Sequence, residues 1–151
     1  MNPRNTDAYR CRGTAYFHLR KYQDAIADLN RAVQQDPTKA INYNDVAWFL
    51  ATCPQADLRD GERAVEHATK ACEMTNWKNG GYIDTLAAAN AEAGEFEEAL
   101  RREQEALALP DMKSQRDEAK ARILLYQSRT PFREERRNPP YPAPLISSEP
   151  R

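Results

Sequence analysis

The chain has 151 residues and a mass of 17.3 kDa, room for one compact domain or a short array of repeats. Its 22 Lys+Arg and 23 Asp+Glu leave a net charge of -1, which argues against wrapping nucleic acid or lying on an anionic membrane, since both need a strongly basic face. No stretch approaches the roughly 20 apolar residues of a membrane span. The opening Met1-Asn2-Pro3-Arg4-Asn5 lacks the apolar core of an export signal, so none is expected. Cys11, Cys53 and Cys72 form an odd set without CxxC spacing, which fits a reducing, cytoplasmic setting and offers neither a disulfide framework nor a zinc site.

From residue 6 to 128 apolar residues recur at helical spacing, as in Ala25, Leu29 and Ala32, or Ala64, Ala68 and Ala71. Period-two alternation is almost absent, so an all-α chain is expected. The breaks fall at Asp36-Pro37-Thr38, Cys53-Pro54, Asn79-Gly80-Gly81, Ala93-Gly94-Glu95 and Pro110-Asp111. They predict helices near 6–19, 22–35, 39–52, 60–75, 80–93, 96–108 and 112–128. In the last of these, Met112, Ala119, Ile123 and Tyr126 share a stripe, with Arg116, Lys120 and Arg122 outside it, and Asp111 is placed to cap the start. Beyond Thr130, six prolines in 21 residues predict a mostly disordered tail over 131–151.

The helices repeat in pairs. Pro3 and Pro37 lie 34 residues apart, and Tyr9, Gly13, Tyr16, Ala25, Leu29, Ala32 and Pro37 mark a first helix–turn–helix unit. Gly13 and Ala25 let the paired helices approach, Tyr16 and Leu29 fill the space between them, and Pro37 ends the second helix. A second unit carries Tyr43, Val46, Ala47 and Leu50, then Ala64, Ala68 and Ala71. A third carries Leu86, Ala87, Gly94, Phe96, Ala99 and Ala106. Leu50 to Ala64 spans 14 residues where Tyr16 to Ala25 spans 9, so an insertion is expected at 54–59, an exposed connection that lengthens the turn inside the second unit without disturbing the stacking of the first and third.

In this order and spacing the residues resemble the tetratricopeptide repeat (TPR) family over about four fifths of the chain. The stretch Ala47-Trp48-Phe49-Leu50-Ala51-Thr52-Cys53-Pro54, with Leu58-Arg59-Asp60-Gly61, Ala64-Val65, Asp84-Thr85-Leu86-Ala87-Ala88-Ala89 and the Ala91-Glu92-Ala93-Gly94 turn, also resembles a bacterial subgroup often found at the C-terminal end of larger multi-repeat or multidomain chains. Three positions depart from the pattern: Arg12 stands for a usual Leu, Asn76 for the second unit's proline, and Glu103 for a large apolar residue. The resemblance implies a right-handed superhelical array over 1–130, with units near 6–39, 40–79 and 80–111 and a capping helix at 112–128. Asn2-Pro3 then reads like the end of a preceding repeat, and the uncapped first helix offers a surface for self-association.

The resemblance further implies a concave groove lined by the first helix of each unit. Its inner positions are Asp7, Arg10, Thr14, Phe17 and His18, then Ile41, Asn44, Trp48 and Thr52, then Asp84, Ala88 and Glu92. Partner contact is expected from Arg10, Thr14, Phe17, Asn44, Trp48, Thr52, Asp84 and Ala88, with Trp48, Arg10 and Asn44 contributing most. Phe17 and Trp48 have a second reading, as aromatics packed between adjacent repeats. Asp45 and Thr14 replace the asparagines with which some grooves of this family clamp a C-terminal carboxylate, so that ligand is not expected.

Charge is uneven, with eight acids and two bases over 84–111, then nine bases and five acids over 112–151; a solvated face and tail account for it best. Catalysis has no foothold. His18 and His67 lie in different units without motif partners, and phosphate loops and nucleophile elbows are absent. The expected function is a non-catalytic scaffold that holds a protein or peptide in the groove. No metal, cofactor, nucleic acid or membrane is expected. The alternative is a regulatory or docking segment of a larger enzyme, such as a signalling kinase, whose array docks its own chain.

Overall fold

The computed structural model describes residues 3–134, with side chains from residue 6 onward. Within them lie seven α-helices: α1 Pro3–His18, α2 Tyr22–Gln35, α3 Ala40–Thr52, α4 Gly61–Met74, α5 Gly80–Glu92, α6 Phe96–Leu107 and α7 Arg116–Gln127. No strand occurs among the described residues. Each helix packs on its sequence neighbour as an antiparallel hairpin, α1 with α2, α3 with α4 and α5 with α6, and α7 closes the stack on α6. Among the first helices, α3 packs directly on α5 and touches α1, whereas α4 and α6 do not meet comparably. The first helices are therefore the inner, crowded layer, and the solenoid is concave on their side.

Small residues set the helix spacing. Ala25, Ala32, Ala47, Ala64, Ala68, Ala87 and Ala99 are all fully buried. A Cβ on Gly13 would lie 3.0 Å from Leu29 Cγ and 3.1 Å from the Ala25 carbonyl oxygen, so only glycine leaves α1 and α2 this close. Between the alanines sit Val46, Phe49, Leu50, Ile83 and Met112, each almost wholly removed from water. Burial of each larger side chain contributes about 1.5–3 kcal/mol.

The helix ends are closed by a recurring left-handed residue, only once a glycine: Arg20 (φ 64°), Asn76 (φ 50°), Gly94 (φ 86°) and Arg129 (φ 55°). After each, the chain turns back onto the finished helix, as when Lys21 N donates to Tyr16 O and Glu95 N to Asn90 O. Asn76 occupies the family's proline position because proline, with φ fixed near -65°, cannot enter this region and has no N–H. Asn76 N donates to Glu73 O, and Trp77 N reaches Cys72 O at 2.8 Å. At the other ends, Asp60 Oδ1 accepts from Arg63 N and Asn79 Oδ1 accepts from Tyr82 N.

Several expectations are corrected. The first helix is described from Pro3, three residues before the expected start, and proline is tolerated in a first turn. Residues Pro110–Gln115 form a 3-10 helix before α7, and Asp111 does not cap it: its Oδ2 accepts from Gly80 N at 2.8 Å and closes α5. Arg122, placed outside the apolar stripe of α7, is buried beneath it. The 54–59 insertion, by contrast, lies where expected, with a 3-10 turn at Ala56–Leu58, Ala56 and Asp57 exposed, and α3 and α4 still paired as a hairpin. Its Arg59 binds Glu92 of the third unit, and a Cβ on Gly61 would come within 2.5 Å of Ala93 N. Finally, residues 131–134 do not hang free. Behind Arg129 the chain reverses, with Thr130 N donating to Leu125 O, and runs into the concave face. The remainder of the expected tail, 135–151, lies outside the described residues.

Candidate functional site

The groove has an aromatic end between α1 and α3. The Phe17 ring meets Phe49 edge-on at 5.5 Å and Tyr22 at 5.5 Å, so it packs between repeats. It also lines a hollow of about 180 Å³ with Thr14, Leu29, Asp45, Trp48 and Phe49.

A polar group crosses the three inner helices nearby. Arg10 Nη1 of α1 donates to Asp45 Oδ2 of α3 at 3.3 Å. Burial pushes the Asp45 carboxyl up, opposed by its hydrogen bond and charge contact with Arg10 and by a hydrogen bond from Asn44. Burial, then the Asp45 charge, raises Tyr82 of α5 as well. Arg10 and Asn44 are therefore occupied in holding Asp45, and of the expected trio Trp48 alone meets the segment in the groove.

The centre of the groove is the C-terminal end of α3. A helix leaves its last carbonyls without intrahelical partners. Cys53 N closes the Phe49 carbonyl, Asp60 N the Leu50 carbonyl, and Thr52 Oγ1 donates to Trp48 O at 2.8 Å. The Ala51 and Thr52 carbonyls receive the returning segment instead. Arg133 Nη1 donates to Ala51 O at 3.4 Å, and Glu134 N donates to Thr52 O at 2.9 Å. Arg133 Nη1 also sits 2.5 Å from Glu92 Oε2, while Arg59 Nε donates to Glu92 Oε1 at 3.0 Å. Arg59 is oriented by the carbonyls of Cys53 and Pro54 at 2.8 and 3.3 Å. The Phe132 ring lies 5.8 Å from the Trp48 ring and 5.6 Å from the Arg122 guanidinium, between the second unit and the cap.

Beneath Phe132 is a buried ionic cluster. Arg122 Nη2 lies 2.7 Å from Asp84 Oδ1, and Arg122 Nε donates to Glu103 Oε1 at 3.3 Å. Glu103 is 0% exposed, Asp84 and Arg122 5% each. One guanidinium faces two carboxyls, so a single bound proton makes the cluster neutral. Burial first, then the Asp84 charge and a hydrogen bond to Asp84, push Glu103 up to about 9, so it holds that proton at neutral pH. Burial also raises Asp84, and raises the phenol of neighbouring Tyr126.

Of the expected groove residues, then, Thr14, Phe17 and Trp48 line the hollow, and Thr52 offers its carbonyl while its side chain is fully buried. Asp84 and Ala88 reach no open surface: Asp84 is buried against Arg122, and Ala88 is part of the apolar core. Glu92, an expected inner position, becomes the principal acid. Arg122 and Phe132 were not anticipated at this place. Glu103 in an apolar position was the one sequence signal of a buried cation, since a charge removed from water needs a partner.

Residues 6–39 match the family described as tetratricopeptide repeat. No curated protein matches the chain significantly. Among solved structures, the Arabidopsis OM64 TPR domain superposes with a TM-score of 0.67 at 18% identity, over 82% of this chain and 98% of that one. At that identity the likeness speaks for the fold alone. Together with the hairpin order, the alanine-set spacing and the inner layer of first helices, it leads to one conclusion: residues 6–39 match a tetratricopeptide repeat, and the chain has the all-α helical-repeat fold seen in TPR domains.

Proposed function

We propose that this chain is a non-catalytic scaffold that holds a protein or peptide in its concave groove, with Trp48 at the centre. One observation carries the reading. An extended stretch of polypeptide, residues 131–134, already lies there, bonded to the Thr52 carbonyl, ion-paired to Glu92 and stacked beside Trp48. Solenoids of stacked helix pairs use their curved inner face as an extended binding surface. The absence of catalysis is inferred from how the reactive groups are spent. His67 Nδ1 bonds the Arg63 carbonyl, His18 lies edge-on to Phe17, Asp84 and Glu103 are buried against Arg122, and Asp45 is paired with Arg10. Among the described residues no helix is long and apolar enough to cross a membrane.

The alternative, an array that docks its own chain within a longer enzyme, is favoured in its docking half by the same segment. The experiment that tests the scaffold reading is site-specific photo-crosslinking in cells. A photoreactive residue at exposed Thr14, in the groove, should capture the partner, and one at exposed Glu66, on α4 of the outer layer, should not. Capture from position 66 with none from position 14 would move binding off the groove.

A further inference from the structure

We propose that the groove selects an extended peptide in which an aromatic residue is followed by arginine, and that Phe132-Arg133 is its resident occupant, which a partner must displace. The proposal rests on the groove reading above and adds the chemistry of the ligand.

Three features of the array, none belonging to the segment, call for that chemistry. The first is the pair of α3 carbonyls at Ala51 and Thr52, acceptors at the negative end of a helix, which favour a cation and a backbone N–H. The second is Glu92, whose Oε1 is satisfied by Arg59 from within the array and whose Oε2 is met by the occupant's guanidinium. A single nitrogen of arginine, Arg133 Nη1, meets Glu92 and the Ala51 carbonyl together, and the guanidinium that carries it keeps its charge across the working pH range. The third is the space between the Trp48 ring and the Arg122 guanidinium, which a flat aromatic ring fills and an aliphatic chain does not. Arg122 is itself fixed by Asp84 and Glu103, so this wall is rigid.

The occupant is held in a way that permits exchange. Glu134 N to Thr52 O is the backbone–backbone hydrogen bond seen between 131–134 and the array, and all four residues remain partly exposed. Tethering in cis nevertheless gives the segment a high effective concentration, in the millimolar range for a short link. A peptide added in trans therefore competes at a disadvantage, and vacating the groove should raise its apparent affinity by the ratio of empty to occupied states.

The test is a titration of the fluorescein-labelled peptide Thr-Pro-Phe-Arg-Glu, read by anisotropy, against the full 151-residue chain. The Phe132→Ala/Arg133→Ala variant should bind it at least tenfold more tightly than the parent. In that vacated background Glu92→Gln or Trp48→Ala should weaken binding at least tenfold, and a peptide with Ala for Phe or for Arg should fail. Equal affinity for parent and vacated chains, or for a scrambled peptide, would overturn the proposal. Should the double variant melt early, the parent serves: excess unlabelled peptide must move the parent's own Phe132 ring resonances towards random-coil values as the segment is displaced, and unmoved resonances count against the idea. The two levels separate cleanly. Partner crosslinking from position 14 without peptide binding removes the aromatic–arginine preference and leaves the groove; loss of both removes the groove.

Discussion

Replacing Glu103 with glutamine should stabilise the protein at alkaline pH, although it removes a charged group that lies beside an arginine. Glutamine matches the protonated acid in shape, keeps an oxygen for Arg122 Nε, and keeps a donor for Asp84. It differs in being unable to ionise. In the fold Glu103 is pushed up to about 9 from an ordinary value of 4.5. A raised carboxyl contributes stability that is fully present below the unfolded value and is lost as pH rises towards the folded one. The loss is about 1.4 kcal/mol for each pH unit in that window, so between pH 5 and pH 8 the parent should fall behind Glu103→Gln by up to about 4 kcal/mol. Asp84, raised as well by burial, titrates together with Glu103, so the difference reports the pair and the figure is an upper bound. Urea unfolding of both proteins at pH 5, 6, 7 and 8 measures this. A variant less stable than the parent at pH 8, or a difference that does not change with pH, would show that Glu103 is ionised in the fold and paired to Arg122, and the single-proton account would be wrong.

Glycines give a second test. Gly61→Ala drives a Cβ to 2.5 Å from Ala93 N and should cost about 1–3 kcal/mol by overpacking, whereas Gly94→Ala meets nothing within 4 Å and should cost about 1–2 kcal/mol through its positive φ alone; thermal melts separate the two. Ala99→Leu should lower stability by about 1–3 kcal/mol because Ala99 is fully buried on α6. Exposed Glu97→Ala on the same helix should leave the melt close to the parent's, and equal melting temperatures for the pair would refute the helix register. Trp48 is half-buried and packs on both the core and Phe132, so Trp48→Ala should cost about 2 kcal/mol of stability and, separately, most of the groove affinity. Affinity unchanged in a folded variant would place the site elsewhere.

The solenoid was legible because its determinants are local and periodic. Gly13 and Ala25 could be read as contact residues since they recur at set spacings, and a Cβ on Gly13 indeed has no room. The closing of α7 carried no such mark. Its left-handed residue is Arg129, not a glycine, so nothing in the string signals that the chain turns back there. Beyond it, composition dominated: a proline-rich stretch reads as tail, although four of its residues find a ring, an acid and a helix end within reach. Arg122 was misplaced for a related reason. Periodicity assigns charged residues to the wet side of a helix, and only Glu103 on another helix, itself out of pattern, explains why this one lies underneath. Asp111 shows the same limit, because its proximity to the start of the last helix hid its service to Gly80.

The most direct test of the central claim, that the concave face is a peptide-binding groove with a segment of the chain already seated in it, is a nuclear Overhauser spectrum of the free 151-residue protein. The account predicts cross-peaks between the Phe132 ring protons and the Trp48 indole protons, and none when Phe132 is replaced by alanine. A Phe132 ring at random-coil shifts, without contact to Trp48 in a folded protein, would contradict it.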